Sequence, residues 1–297
     1  MLNRFVVSLL LGAIAIAVAA QTPPKSGTKT PAHPEFLVST QWLAQHLSDA
    51  NLVIIHAGSS DDDYNSAHIP GARHLATNKF TEGPTPPNTE LLPPDKLQAN
   101  LEAIGVSDDS RIIIYASDWD PFAARLFFTL DYLGRAGNAS LLDGGMDRWI
   151  HEKRPLSTDV PTVMPGKLTV LPHPEVVAKM DWVRQVSADP AASHVALLDS
   201  RPLRRYRSGH IPGALPAYWE KTELSDDTPV LRPPQELAAM FVRAGYKPGY
   251  KVVSYCEVGW QASFTYFVAR YLGYDAAMYD GSWTEWSTAK QPVVRGD

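Results

Sequence analysis

One side chain in this sequence has the makings of a nucleophile. Cys256 is the single cysteine among 297 residues, and it lies in Tyr255-Cys256-Glu257-Val258-Gly259-Trp260-Gln261-Ala262-Ser263. That segment joins a short β-rich run to a helical one. A loop that opens a helix offers a thiol inward-pointing N–H groups and the positive end of the helix dipole, both of which favour a thiolate. Gly259 lets such a loop curl tightly around the sulfur. A lone cysteine excludes an internal disulfide and a multi-cysteine zinc site. The competing reading is a buried, inert thiol. Position favours function, because ligands of open α/β sheets bind beyond the carboxyl ends of the strands.

The other candidates are weaker. Nine histidines show no metal-ligand spacing, so no metal site is expected. His68 and His210 recur in matching turns and read as hydrogen-bonding supports of the fold. Arg201, Arg204, Arg205 and Arg207 follow a short apolar run. Arg204 and Arg207 read as solvated charge.

The elements that must position Cys256 occur twice. Trp42 recurs as Trp182, Ala67-His68-Ile69-Pro70-Gly71-Ala72 as Gly209-His210-Ile211-Pro212-Gly213-Ala214, and Pro93-Pro94 as Pro233-Pro234. Gly105 recurs as Gly245, Tyr132-Leu133-Gly134 as Tyr271-Leu272-Gly273, and Asp143-Gly144 as Asp280-Gly281. Matches in one order at a nearly constant offset mean a duplicated domain. Each copy alternates strands (52–55, 111–115; 195–198, 251–255) with helices (93–104, 122–133; 233–244, 262–272). Such alternation predicts an α/β fold, a parallel sheet with helices on both faces. In this alignment Ala116 lies opposite Cys256, so the first copy reads as catalytically silent.

The chain ends and overall charge bound the rest. Arg4, the apolar run Phe5 to Val18 and the small residues before Gln21 have the layout of a secretory signal peptide over residues 1–20. Residues 21–35 read as a flexible tether, 36–157 as the first domain, 158–175 as a linker and 176–297 as the second domain. The expectation is an exported protein, periplasmic in a Gram-negative source, with no stable membrane association after signal cleavage. A net charge of -5 gives no general attraction for nucleic acid.

The ordered features resemble the tandem-domain rhodaneses, sulfurtransferases of the thiosulfate/3-mercaptopyruvate type. They are Leu198-Asp199-Ser200-Arg201, Ser208-Gly209-His210-Ile211-Pro212-Gly213-Ala214, the six-residue loop from Cys256 to Gln261, and Tyr279-Asp280-Gly281-Ser282-Trp283 with Trp286. The resemblance runs from about Phe36 to the C-terminus, and it implies two rhodanese folds with a catalytic cysteine only in the second. It also implies that Cys256 attacks the outer sulfur of a small anionic donor. A persulfide forms, sulfite or pyruvate leaves, and cyanide or a small or protein thiol then removes the sulfur. No metal or organic cofactor takes part. Arg201 matches the family arginine that contacts donor, and Arg205 resembles a second. Glu257, Val258, Gly259, Trp260 and Gln261 form the binding loop.

The loop departs from the family pattern. Thiosulfate-preferring relatives carry basic residues after the cysteine and mercaptopyruvate-preferring ones small neutral residues, whereas here Glu257, Trp260 and Gln261 stand there. Glu257, if it faces the pocket, works against a dianionic donor. A rhodanese-related phosphatase requires Cys-x5-Arg, and Ala262 occupies the arginine position. A non-catalytic persulfide carrier or binding module in periplasmic sulfur or redox handling is the other reading.

Overall fold

The computed structural model describes residues 31–81, 89–117, 121–224 and 228–296. The leader, most of the tether and residues 118–120 of the first-domain loop lie outside the described residues. Among those described, no helix is long and apolar enough to cross a membrane.

The first domain contains β1 (Leu37–Val38), α1 (Thr40–His46), β2 (Leu52–Gly58), α2 (Asp61–Ser66), β3 (Arg73–Ala76) and α3 (Pro94–Ala103). It continues with β4 (Arg111–Tyr115), α4 (Pro121–Tyr132), β5 (Ala139–Leu142) and α5 (Gly145–His151). The second domain repeats the series with β6 (Val177–Ala178), α6 (Met180–Ser187), β7 (Val195–Asp199), α7 (Leu203–Ser208) and β8 (Leu215–Pro216). A short antiparallel ribbon of β9 (Glu223–Leu224) and β10 (Val230–Leu231) follows. The series closes with α8 (Pro234–Arg243), β11 (Lys251–Tyr255), α9 (Trp260–Tyr271), β12 (Ala276–Tyr279) and α10 (Ser282–Thr288).

Both domains form parallel five-stranded sheets of the same order, β1-β5-β4-β2-β3 and β6-β12-β11-β7-β8. The strands named from sequence are present; β2 runs on to Gly58 and β7 to Asp199. Helices α3 and α8 start at Pro94 and Pro234, where a missing N–H goes unmissed. Gly105 and Gly245 take the left-handed φ of 78° and 86° that stops each helix.

The repeated turns have structural work in both domains. The Nδ1 atoms of His68 and His210 lie 2.8 and 3.0 Å from the carbonyls of Tyr64 and Tyr206. Tyr115 and Tyr255 each accept the N–H of the next turn residue, Ile69 or Ile211, at their hydroxyls. Those central strands are thereby fixed to the turns that flank the loops at their carboxyl ends.

The outer face of each sheet buries its own cluster, around Trp149 in the first domain and Trp286 in the second. The inner faces share one continuous core, from Ile55 and Ile114 through Phe127 and Phe267 to Leu198 and Met278. Helices α4 and α9 form its spine, with Phe127 against Phe267 and Phe128 against Tyr266, both edge to face. Asp131 crosses it to accept from Tyr266 Oη at 2.6 Å and Arg270 Nε at 2.8 Å. Residues 158–173 contain no helix or strand and run back over the first domain. Gly166 N–H donates to Glu102 and His173 N–H to Tyr132, both at 2.7 Å.

Candidate active site

Cys256 follows the last residue of β11, and Gly259 ends the loop after it. Gly259 has φ 92°, a left-handed value that an L side chain adopts only at a cost. A Cβ there would also lie 3.0 Å from the carbonyl of Asp280 and 3.3 Å from Arg125 Nη1. The tight curl allows α9 to begin at Trp260, two residues before the sequence expectation. Trp260 and Gln261 are thus the helix's first turn rather than loop.

That shift decides the surroundings of the sulfur. The N–H of Gly259 donates to Cys256 Sγ at 3.1 Å, and the nearby amides of Val258, Gln261 and Ala262 also favour its thiolate. Four N–H groups around one atom make an anion cradle. Cys256 is nonetheless 1% exposed, and burial pushes its thiol pKa up against the pull of those amides. The cradle fits a negative charge that forms inside it better than it promotes ionisation at rest.

Helix α10 holds the loop from behind. Ser282 Oγ accepts the Cys256 N–H at 3.2 Å, the Trp283 N–H donates to the Cys256 carbonyl at 2.9 Å, and the Thr284 N–H to the Glu257 carbonyl at 3.0 Å. The first domain closes it from the front. Thr89 Oγ1 donates to the Val258 carbonyl, while Phe80 and Phe122 pack their edges against Trp260 at 6.3 and 5.0 Å. Arg125, fully buried on α4, reaches Asp280 Oδ1 at 2.5 Å and the Thr89 carbonyl at 2.7 Å.

Arg201, which the resemblance implies contacts the donor, has its guanidinium held inside the protein. It is 2% exposed, and its guanidinium is committed to Asp199 at 2.6–3.1 Å and the Gly209 carbonyl at 2.7 Å. Trp283 lies across its face at 4.5 Å. Its one link to the loop is Nη1 to Glu257 Oε2 at 3.3 Å. The carboxylate of Glu257 is therefore drawn toward Arg201, which offsets part of its charge. Arg205 is exposed on α7. Arg125, Asp280, Thr89 and Ser282 were not singled out from sequence as site residues. Asp280-Gly281 was visible as a repeated pair, but nothing in residue order connects it to Arg125 in the other domain.

The sequence model of the rhodanese-like domain matches residues 39–152 and 180–289. The chain belongs to the rhodanese family. This rhodanese is 30% identical to the sulfur carrier protein TtuD of Thermus thermophilus, over 90% of this chain and 99% of that one. It is also 30% identical to the thiosulfate sulfurtransferase of Azotobacter vinelandii, over 82% and 91% of the two chains. The 3-mercaptopyruvate sulfotransferase SseA of Escherichia coli superposes with a TM-score of 0.74 at 25% identity, covering 84% of this chain and 98% of that one. The protein is an enzyme of the sulfurtransferase class.

Proposed function

We propose that Cys256 is the catalytic nucleophile and that it carries sulfur as a persulfide between thiosulfate or 3-mercaptopyruvate and a thiol or cyanide acceptor. The observation that carries this reading is the cradle of four backbone amides around Sγ. The thiolate of Cys256 attacks the outer sulfur of the donor. The new Cys–S bond forms as the donor's S–S or C–S bond breaks, releasing sulfite or, after protonation, pyruvate. The terminal persulfide sulfur bears charge within reach of the same donors, as an oxyanion does in a preorganised hole. The acceptor then attacks that sulfur and returns the thiolate.

At 1% exposure the sulfur is covered, so turnover includes a movement that opens the loop's cover. With Arg201 committed to Asp199, the backbone amides are the principal anion donors, and the exposed Arg205 is the candidate cation for the donor's approach. We place the working protein outside the cytosol, on the strength of the leader-like segment 1–20.

The test is intact-protein mass spectrometry after brief exposure to each donor. The expected gain is one sulfur on wild type and none on the Cys256→Ala variant; wild type that gains no sulfur from either donor overturns the reading. The relative TtuD bears the name of a sulfur carrier, and the burial of Cys256 favours a second reading in which the persulfide passes only to a protein thiol. Steady thiocyanate production from cyanide, many turnovers per Cys256, decides for the enzyme acting on small acceptors.

A further inference from the structure

The first domain lacks the thiol, yet the same corner of its fold holds another ordered set of reactive groups. His56 Nε2 lies 2.8 Å from Ser117 Oγ, His56 Nδ1 lies 2.9 Å from His74 Nδ1, and His74 Nε2 lies 2.9 Å from Asp61 Oδ1. The Asp61 contact is close but not aligned as an ideal hydrogen bond. Ser117 follows Ala116, so it stands where Glu257 stands in the second domain.

The two domains can be compared position by position through strand register. His56 pairs with Tyr115 as Asp199 pairs with Tyr255, and His74 pairs with His56 as Pro216 pairs with Asp199. Gly58 then corresponds to Arg201. The second domain fills this corner with fixed charges, Asp199, Arg201 and Glu257. The first fills it with His56 and Ser117, groups that can pass a proton, and with Gly58, which leaves room for the imidazole. The glycine is part of the substitution, because a Cβ at Gly58 would come within 2.7 Å of His56 Cε1.

The direction of the hydrogen bonds follows from the outer end. Asp61 Oδ1 makes no hydrogen bond to His74 Nε2, but a carboxylate oxygen 2.9 Å away attracts an N–H and repels a lone pair, so the proton of His74 sits on Nε2. His74 Nδ1 is then an acceptor and takes the Nδ1–H of His56. His56 Nε2 is left as an acceptor for the Ser117 hydroxyl, which is the arrangement of a nucleophile and its general base. Exposure rises outward along the chain. His56 is 1% exposed, while the side chains of His74 and Asp61 are 12% and 75% exposed. Burial and the neighbouring imidazole hold the His56 pKa down at about 4, and burial lowers that of His74, in keeping with this assignment. Among the described residues no group of three such side chains could hold a metal ion.

We propose that Ser117 is a second nucleophilic site, activated by the Ser117–His56–His74–Asp61 relay and directed at small activated acyl compounds. Ser117 Oγ attacks the carbonyl carbon of an ester and passes its proton to His56 Nε2. The Oγ–C bond forms as the bond to the leaving alkoxide breaks, and that alkoxide takes the proton from His56. Water, deprotonated by the same nitrogen, later releases the acid and regenerates the hydroxyl.

The experiment uses the full chain with Cys256→Ser, which removes the competing thiol, and p-nitrophenyl acetate as probe. A p-nitrophenolate burst with acetyl mapped by peptide mass spectrometry to Ser117 is expected. His56→Gln is expected to slow it at least ~100-fold, the usual contribution of a general base. Asp61→Asn, a change at the exposed end, is expected to slow it several-fold. In protein retaining Cys256, Ser117→Ala leaves sulfur transfer intact and so reports folding. Absence of acetyl on Ser117 overturns the proposal. So does labelling that proceeds equally in the His56→Gln and Asp61→Asn variants; should His56→Gln fail to fold, Asp61→Asn decides alone. Loss of sulfur transfer by Cys256 is a separate readout and does not bear on this result.

Discussion

The two domains meet as near-equivalents, and one substitution at their contact sets the half that holds the thiol apart from the half that lacks it. Leu91 N–H of the first domain donates to Asp280 of the second at 2.9 Å, and Leu231 N–H of the second donates to Asp143 of the first at 2.9 Å. Phe127 against Phe267 and Phe128 against Tyr266 are reciprocal in the same way. Arg125 on α4 and Phe264 on α9 stand at the same distance before the closing Tyr132 and Tyr271. Arg125 pairs with Asp280, whereas Asp143 has Phe264 beside its pocket and Arg148 only at 3.9 Å. Burial accordingly raises the pKa of Asp143. The comparison teaches that the first domain is more than a passenger. It supplies the buried cation that keeps Asp280, and with it the turn backing Gly259, in place.

The strongest way to break the contrast is to exchange the feature that defines it. Cys256→Ser is expected to lower thiocyanate formation by about three orders of magnitude or more, because the nucleophile is gone. Adding Ala116→Cys to that variant moves the thiol to the first domain. Ala116 is 2% exposed, and Pro121, which opens α4, has no N–H to offer. No recovery is expected. Recovery would show that the thiol alone, not its amide cradle, separates the halves.

The next effect is that of the crossing ion pair. Arg125→Met leaves Asp280 buried without its cation, and breaking such a pair costs about 3–5 kcal/mol of stability. Urea unfolding measures this directly, and kcat/KM is expected to fall about tenfold as the Gly259 turn loosens. Adding Asp280→Asn removes the stranded charge. The double variant is therefore expected to be more stable than Arg125→Met alone. Equal stability of the two would detach Arg125 from the loop.

Most of the fold was legible in the sequence, because the repeat, the Pro-Pro helix starts and the strand patterns are local signals. The place of Cys256 in the fold was legible for a related reason: a strand-to-helix loop present twice, with a thiol once, marks a position. The partners of Arg201 were not legible, since sequence gives a residue's position but not which way its side chain turns. Asp199, two residues earlier on the same strand end, captures that guanidinium. Arg125 was illegible because its partner is in the other domain, and only packing of α4 on α9 brings them together.

A pH series sharpens the contrast between a cradle and an ionised thiol. With the Cys256 pKa raised by burial, kcat/KM is expected to climb about tenfold per pH unit, past the ~8.5 of a free thiol before levelling. Linkage gives the sign for stability. A group that holds its proton more tightly when folded stabilises fully below its unfolded pKa, and that contribution is lost as pH rises through the folded one. Wild type is thus expected to lose more stability than Cys256→Ser above pH ~8.5, as read by thermal unfolding. A rate plateau near neutral pH would mean that the amides outweigh burial.

The smallest effect tests the neighbour of the nucleophile, where the second domain has an acid and the first a neutral serine. Glu257 is 45% exposed and shares its carboxylate with Arg201, so solvent and that cation both weaken its field. Glu257→Gln is expected to lower KM for thiosulfate only about two- to fivefold, the range of a screened surface charge. The gain is larger for dianionic thiosulfate than for monoanionic mercaptopyruvate, and it shrinks at high salt as the Debye length falls to about 3 Å at 1 M. Charge doubling at the donor should double the electrostatic part of the effect, so the ratio between donors separates repulsion from a change in loop shape. An equal effect on both donors, insensitive to salt, would place Glu257 among the supports of the loop, acting through Arg201, rather than among the groups facing the donor.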